Sequence, residues 1–316
     1  MRRYVLSRLA QLPTVLLGVS LLVFLMIHLI PGDAVDVFMG TQVSPTEEQV
    51  QALRRLLGLD QPLHLQYWTW LSGALRGDLG VSLRTARPVW SEIRDRFPVS
   101  AQLTVMTVLT AVVVGVPLGV LSAVRHGSRS DSMARVVSLV GISIPDFWLA
   151  TMVILFSSLY WPVVQLGGYV PFSAQPLQNL RIMLAPALTF SSGLVAVIMR
   201  FTRAAVLEVL RSDFVRTARA KGLAERRVVF KHVLRNSLIP VITVVGFYTG
   251  YLLGGTVVIE EVFALPGMGR LTLNAIAQRD YPMIQGIVLV VATLFVLVNL
   301  AVDLLYGLLD PRIRYD

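Results

Sequence analysis

Three sets of side chains in this sequence have the types that chemistry requires. The first is four histidines, His28, His64, His126 and His232. The second is a few carboxylates set in or beside apolar sequence, Asp146, Glu260 and Glu261. The third is the basic run at positions 201–238, with Arg203, Arg211, Arg216, Arg219, Lys221, Arg226, Arg227, Lys231 and Arg235. The histidines are dispersed, no pair has ligand spacing on one helix, and no HExxH occurs, so a resident metal site is poorly supported. Cysteine is absent, which removes thiolate nucleophiles, disulfides and Cys-based metal sites. A phosphate-cradling loop needs Gly-Lys followed by Ser or Thr, but the only lysines, Lys221 and Lys231, precede Gly222 and His232. No Ser/His constellation at one depth supplies an intramembrane enzyme. What remains is electrostatic: carboxylates in a medium that penalises charge, and a positive segment that must meet water or a partner.

The elements that position these groups follow from composition. Hydrophobic residues make up 55% of the chain and charged residues 15%, with mean hydropathy +0.68. Soluble domains average about 25% charged residues. An all-α polytopic membrane protein is the reading. A net charge of +9 would also suit a nucleic-acid partner, but the basic residues collect in loops between apolar runs rather than on one soluble face, so no nucleic acid is expected. Six apolar runs are long enough to span a bilayer: residues 12–30, 103–123, 136–159, 182–199, 239–259 and 284–305. The first is too long for a signal-peptide core and is read as an uncleaved span. Six spans put both termini on one side. With that side inside, the inner segments hold most of the Arg and Lys, while the two short outer loops hold only Arg181, Arg270 and Arg279. Three regions result: residues 1–30, an external helical cap at 31–99, and a five-span core at 100–316.

Within the cap, Ser44-Pro45-Thr46-Glu47 reads as a capping box leading into a helix with Val50, Leu53 and Leu57 on one face, ended by Gly58. An amphipathic piece follows over residues 63–75. Arg87-Pro88-Val89 opens a short third helix that stops near Pro98. In the core, Gly115-Val116-Pro117 is expected to kink the second span, and Ile144-Pro145-Asp146 interrupts the third. Asp146 lies about ten residues into that span, where an ionised carboxylate facing lipid costs roughly 2.5–3.5 kcal/mol or more. It is therefore expected to face a pathway or a neighbouring helix. Glu260 and Glu261, at the outer end of the fifth span, are read either as gate or docking groups or as ordinary solvated carboxylates.

The basic segment reads as a helix–glycine–helix hairpin on the inner face. Ser212-Asp213 is placed to cap the first helix, and Phe214, Val215 and Ala218 form a narrow apolar face. Gly222 ends that helix, and Glu225 favours the first turn of the next. Ala218, Ala220 and Gly222 leave one side of the turn small and bare, which suits insertion into a protein cleft better than burial in lipid.

These residues carry a family resemblance. Arg216-Thr217-Ala218-Arg219-Ala220-Lys221-Gly222, His232-Val233-Leu234-Arg235-Asn236 and Pro240 resemble the cytoplasmic coupling loop of ABC importer permeases, in the version of the dipeptide/oligopeptide/nickel group. The broader importer pattern has Glu-Ala-Ala and Leu-Pro where this chain has Arg216-Thr217-Ala218 and Leu234-Arg235, a departure shared with the peptide-type group. Similar features run along the chain: Leu29-Ile30-Pro31-Gly32-Asp33, Leu57-Gly58-Leu59-Asp60-Gln61-Pro62, Gly77-Asp78-Leu79-Gly80, Ser143-Ile144-Pro145-Asp146-Phe147-Trp148, Glu261-Val262-Phe263, Pro266-Gly267-Met268-Gly269, Arg279-Asp280-Tyr281-Pro282 and Asp310-Pro311-Arg312-Ile313-Arg314.

The resemblance implies a type I ABC importer permease in a bacterial inner membrane, with both termini cytoplasmic. It implies that the chain is not an enzyme and carries no cofactor, ATP and Mg²⁺ residing on two separate ATPase subunits. A second homologous permease chain and an extracytoplasmic binding protein complete the implied assembly. The ATPase-coupling residues it implies are Arg216, Thr217, Ala218, Arg219, Ala220, Lys221, Gly222, Leu223, Glu225 and Arg226. Di- or oligopeptides are the implied cargo, with nickel or glutathione as alternatives; the scattered histidines weaken nickel. An ATP-independent secondary transporter is the rival class, but no internal repeat is evident.

Overall fold

The computed structural model describes residues 2–28, 59–160 and 167–309, with the single positions 48, 51 and 55. The expected capping box at Ser44, the helix bearing Val50, Leu53 and Leu57 with its Gly58 stop, and the motifs at 29–33 and 310–314 lie outside the described residues. The regular elements among the described residues are all helices, with one isolated bridge between Val81 and Pro88. The helices are α1 (Arg2–His28), α2 (Leu63–Leu75), α3 (Val89–Val124), α4 (Arg129–Ser143), α5 (Asp146–Tyr160), α6 (Pro176–Leu210) and α7 (Asp213–Ala220). A short helical turn, Glu225–Arg227, and a π-helical segment, Val228–Val233, lead into α8 (Leu234–Gly255). Then come α9 (Val257–Val262), α10 (Met268–Ala277) and α11 (Tyr281–Leu309).

Among the described residues four helical stretches are long and apolar enough to cross a membrane: α3, α6, Glu225–Gly254 and Tyr281–Leu304. Helices α4 and α5 form a fifth as a pair bent by 96°. Helix α1 carries a shorter apolar stretch, Ala10–Met26, where the first span is expected. Large apolar side chains such as Val105, Leu109, Val113, Met133, Val136 and Leu139 are exposed along α3 and α4, a surface that needs lipid or protein rather than water.

Two boundaries differ from the sequence expectation. The helix opened by Val89 does not stop near Pro98 but continues to Val124, through Pro117 as well. Each proline removes one backbone bond, yet Ile93 and Val99 are buried on either side of the first, so packing holds the helix where local propensity would end it. The fourth span is also longer than residues 182–199, since α6 runs over 35 residues. The interruption of the third span is a full corner. Ile144 is extended, at φ −80° and ψ 122°, as a residue before proline prefers. Asp146 then starts α5, where a carboxylate suits the helix N-terminus.

The chain divides into two compact units. One holds residues 100–265 and the chain from 297 onward, and α6 is its central helix. Helices α4, α5 and α8 pack on α6, whose buried residues include Ala187, Ser191, Ala196, Thr202 and Ala205. Such small groups allow close approach. A Cβ at Gly115 of α3 would lie 2.9 Å from the Val195 carbonyl oxygen, and one at Gly119 would lie 2.6 Å from that of Met199. Gly115 therefore marks a helix contact in an unbroken helix. Gly246 of α8 is packed in the same way, since a Cβ there would lie 2.1 Å from Val302 Cγ2.

The other unit holds residues 2–99 and 266–296. Its core is Leu79, Val89, Ile93, Met268, Ala275, Met283 and Ile287. Asp280 is buried there, accepting hydrogen bonds from the Ser82 hydroxyl and, at 3.3 Å each, from the amides of Leu83 and Met283. The Met283 bond caps α11, and the Ser82 and Leu83 bonds tie the 78–88 loop to the same carboxylate. Two sequence features about 200 residues apart thus form one structural joint. On the other side of this unit, Ser20 of α1 hydrogen-bonds Tyr67 at 2.9 Å and Phe24 meets the same ring edge-on.

Candidate functional site

The basic segment folds as a hairpin with its own core. Helix α6 ends in a tight turn, and Ser212 spends its hydroxyl on the Val209 carbonyl (2.6 Å). It therefore occupies the N-cap position of α7 without capping it by its side chain, contrary to the sequence expectation. Val215 and Ala218 are buried with Ala123, Val206, Val228 and Val233. Phe214, expected on the same apolar face, is exposed instead. The π-helical segment explains the selection. Its wider turn sets Val228 and Val233, five residues apart, on one side, and this short apolar strip accommodates only Val215 and the small Ala218.

Gly222 turns the chain. Its φ is +74°, a region that glycine enters without steric cost. The Gly222 amide donates to the Arg219 carbonyl (2.9 Å) and the Leu223 amide to that of Ala218 (3.4 Å). A Cβ at Gly222 would meet nothing within 4 Å. The turn is closed by a two-pronged ion pair, Arg219 Nε to Glu225 Oε2 at 3.0 Å and Nη2 to Oε1 at 2.6 Å. The Arg219 guanidinium holds the Glu225 carboxyl below the usual carboxylate range, and Glu225 raises Arg219 in turn. Arg216 pairs with Asp213, and the Thr217 hydroxyl donates to the Asp213 carbonyl (2.9 Å). Arg216, Thr217, Arg219, Ala220, Lys221, Gly222, Glu225 and Arg226 are exposed, Leu223 is half-buried, and Ala218 faces inward. The small, bare part of the turn is therefore Ala220 to Gly222 and excludes Ala218.

Next to the hairpin lies an ion network that sequence reasoning missed. Asp131, without exposed surface, accepts from Ser122 Oγ (2.6 Å), the Gly127 amide (3.1 Å), Arg203 Nε (2.7 Å) and Arg203 Nη2 (2.9 Å). His126 approaches Asp131 at 3.4 Å and Arg203 at 3.1 Å, which gives this histidine a structural partner set. The one local signal is Ser128, which caps α4 by accepting from the Asp131 amide (3.2 Å). Through Asp131 the ends of α3, α4 and α6 are fastened together. His28 is likewise engaged locally, with the Phe24 carbonyl (2.8 Å) and Gln66 Oε1 (3.2 Å).

The three candidate carboxylates have different settings. Glu260 has no exposed surface and accepts from the hydroxyls of Ser100 and Thr256 at 2.5 Å each, so it is not a solvated boundary group. Glu261 is exposed. Asp146 is half-buried at the α4–α5 corner and lines a cavity of about 300 Å³ with residues of α4, α6 and α8. The structure thus brings Asp146 to a cavity and leaves Glu260 and Glu261 outside its lining.

Among the described residues the chain combines apolar helices long enough to cross a membrane, a corner in one of them and a polar hairpin between two, the architecture of a polytopic membrane protein. The chain matches two family models, "Binding-protein-dependent transport system inner membrane component" over residues 115–315 and the N-terminal "Binding-prot-dependent transport system membrane comp" over residues 1–104. It belongs to that family and is the permease subunit of an ABC importer, a multi-pass inner-membrane protein whose ATP hydrolysis resides on partner subunits. Similar proteins include the dipeptide transport system permease protein DppB of Escherichia coli K12, 40% identical over 338 residues, covering 100% of this chain and 99% of that protein. The di/tripeptide transport system permease protein DppB of Pseudomonas aeruginosa is 43% identical, and the glutathione transport system permease protein GsiC of E. coli K12 is 41% identical, each with 100% of both chains covered. Among solved structures, an inward-facing MetNI methionine ABC transporter matches with TM-score 0.55 and 17% identity, covering 69% of this chain and 96% of that one, which shows the shared fold.

Proposed function

We propose that this chain forms half of the pathway of a peptide importer, paired with a second homologous permease chain and served by an extracytoplasmic binding protein. Two ATPase subunits, which hold ATP and Mg²⁺, engage the hairpin at residues 201–238 from the cytoplasm, where both termini also lie. Full-length similarity to dipeptide and di/tripeptide permeases supports the cargo class. The observation that carries the coupling role is Gly222, a left-handed, exposed turn with open space around it, set on a hairpin that has its own core and a closing ion pair. Such a turn is preorganised and small enough to enter a cleft, and binding there spends little on ordering. Closure of the ATPases would displace the hairpin and rock the helices that carry it between inward- and outward-open states.

The test is Gly222→Arg in the assembled importer. The expected result is loss of ATPase association in co-purification and of dipeptide uptake into proteoliposomes. Unchanged association and uptake would overturn the coupling assignment. A glutathione cargo is the second reading, favoured by the 41% identity to GsiC over both full chains. The ligand retained by the purified binding protein separates the two.

A further inference from the structure

We propose that the cavity at the α4–α5 corner is a cargo site that takes the ammonium end of a peptide, with Asp146 as its counter-charge. The inference rests on the peptide-importer reading above and adds the group that is recognised and the residues that recognise it.

The cavity measures about 300 Å³, at the lower end of small-molecule sites. Its lining is mainly apolar and aromatic, including Pro145, Phe190 and Leu194, with Asp146 the single ionisable carboxylate. Two phenol rings, Tyr248 and Tyr251, come from one face of α8, 6.4 Å apart and edge-to-face. On α6, Gly193 faces the acid: a Cβ there would lie 3.8 Å from Asp146 Oδ1. Gly141 and Gly193 are both in the lining, and each leaves backbone in place of a side chain.

Asp146 makes no hydrogen bond or ion pair with another described residue, unlike the other buried or half-buried carboxylates discussed here. Asp131 has Arg203, Glu260 has two hydroxyls, and Asp280 has a hydroxyl and two amides. The N-terminus of α5 favours the negative charge but brings no counter-ion. An acid at this depth is costly unless something cationic meets it. A carboxylate in a cavity lined by phenol rings is the chemistry that binds an ammonium group, by charge-assisted hydrogen bonds and by cation–π attraction. Every peptide with a free N-terminus carries that group, whatever its side chains. A site of this kind therefore holds cargo of varied sequence without reading it.

The absence of cysteine makes the test clean, because a single introduced thiol is the only one in the chain. Val197→Cys places it in the cavity lining. In the complete importer, the rates of labelling by a cationic and an anionic methanethiosulfonate reagent are compared, with and without dialanine. The cationic reagent is expected to react about tenfold faster, a ratio set by the nearby carboxylate, and to fall toward parity when Asp146→Asn is added. Dialanine should slow labelling, whereas N-acetyl-dialanine, which lacks the ammonium, should not. Separately, Asp146→Asn in the importer without the introduced cysteine should lower dialanine uptake about tenfold, with Asp146→Glu recovering part of it.

An unchanged reagent ratio in Asp146→Asn, or equal protection by the two peptides, overturns the site while leaving the importer reading intact. Absence of dialanine uptake by the unsubstituted importer instead overturns the dipeptide-cargo reading on which the site rests. If Asp146→Asn fails to assemble, the ratio in Val197→Cys alone decides: near parity between the two reagents overturns the site.

Discussion

The Asp131–Arg203 pair offers a sharp test of how the ends of α3, α4 and α6 are held together. Arg203→Ala strands a carboxylate with no exposed surface, still facing Ser122 Oγ and the Gly127 amide. Removing one partner of a buried ion pair costs about 3–5 kcal/mol. Here the lower end applies, because exposed His126 and Arg135 stand at 3.4 and 3.9 Å and supply some replacement charge. About 3 kcal/mol is expected. Asp131→Ala should cost less, about 2 kcal/mol, because the Arg203 side chain is already 18% exposed and its guanidinium can turn toward water. The double variant should cost about 3 kcal/mol and not the sum, giving a coupling of about 2 kcal/mol. Reversible unfolding in mixed micelles, followed by tryptophan fluorescence, measures all three. A coupling below about 0.5 kcal/mol would show that the pair is an accident of geometry and that α3, α4 and α6 are held by packing alone.

Three further outcomes follow from particular contacts. Gly246→Ala drives a methyl to 2.1 Å from Val302 Cγ2 and should destabilise by about 1–3 kcal/mol; adding Val302→Ala should recover most of that loss in the same unfolding assay. Gly222→Ala meets no atom but must hold φ +74°, so it should cost about 1 kcal/mol in stability while ATPase association, read by co-purification, persists. The Glu225 carboxyl sits below its ordinary range because of Arg219, so the pair contributes stability above about pH 4. That contribution is lost as pH falls through the lowered value. The unfolding free energies of the unsubstituted chain and Arg219→Ala should differ by less than about 1 kcal/mol at pH 7, the pair being exposed, and converge in acid.

The sequence was most legible where a single local cause dominates. Long apolar runs marked the spans, Gly222 marked the turn, and Pro145 marked the corner, each by the backbone chemistry of one or a few residues. It was least legible where a distant partner decides. Pro98 looked like a stop because nothing local reveals the burial of Ile93 and Val99. The packing role of Gly115 stayed hidden because its neighbour, the Val195 carbonyl, lies 80 residues away. Ala218 looked bare because α7 alone does not disclose the π-helical strip that covers it. Asp131 passed unnoticed because its guanidinium partner is 72 residues away on another helix.

Helix α6 joins the proposed roles into one mechanical argument. Near its C-terminal end it carries Val206, part of the hairpin core, and Arg203, fastened to Asp131. Further along it carries Phe190, Gly193 and Leu194 in the wall of the cavity. From Gly193 to Leu210 the helix rises about 25 Å at 1.5 Å per residue. Over that length its buried face is made largely of small and β-branched groups that neighbouring helices touch directly. A close-packed helix of this kind moves as a body and does not absorb a push at one end by bending. Displacement of the Gly222 turn would therefore reach the cavity through α6, with the Asp131–Arg203 pair deciding whether α4 travels with it. Because α4 ends at the corner that holds Asp146, the same motion would also move the proposed counter-charge.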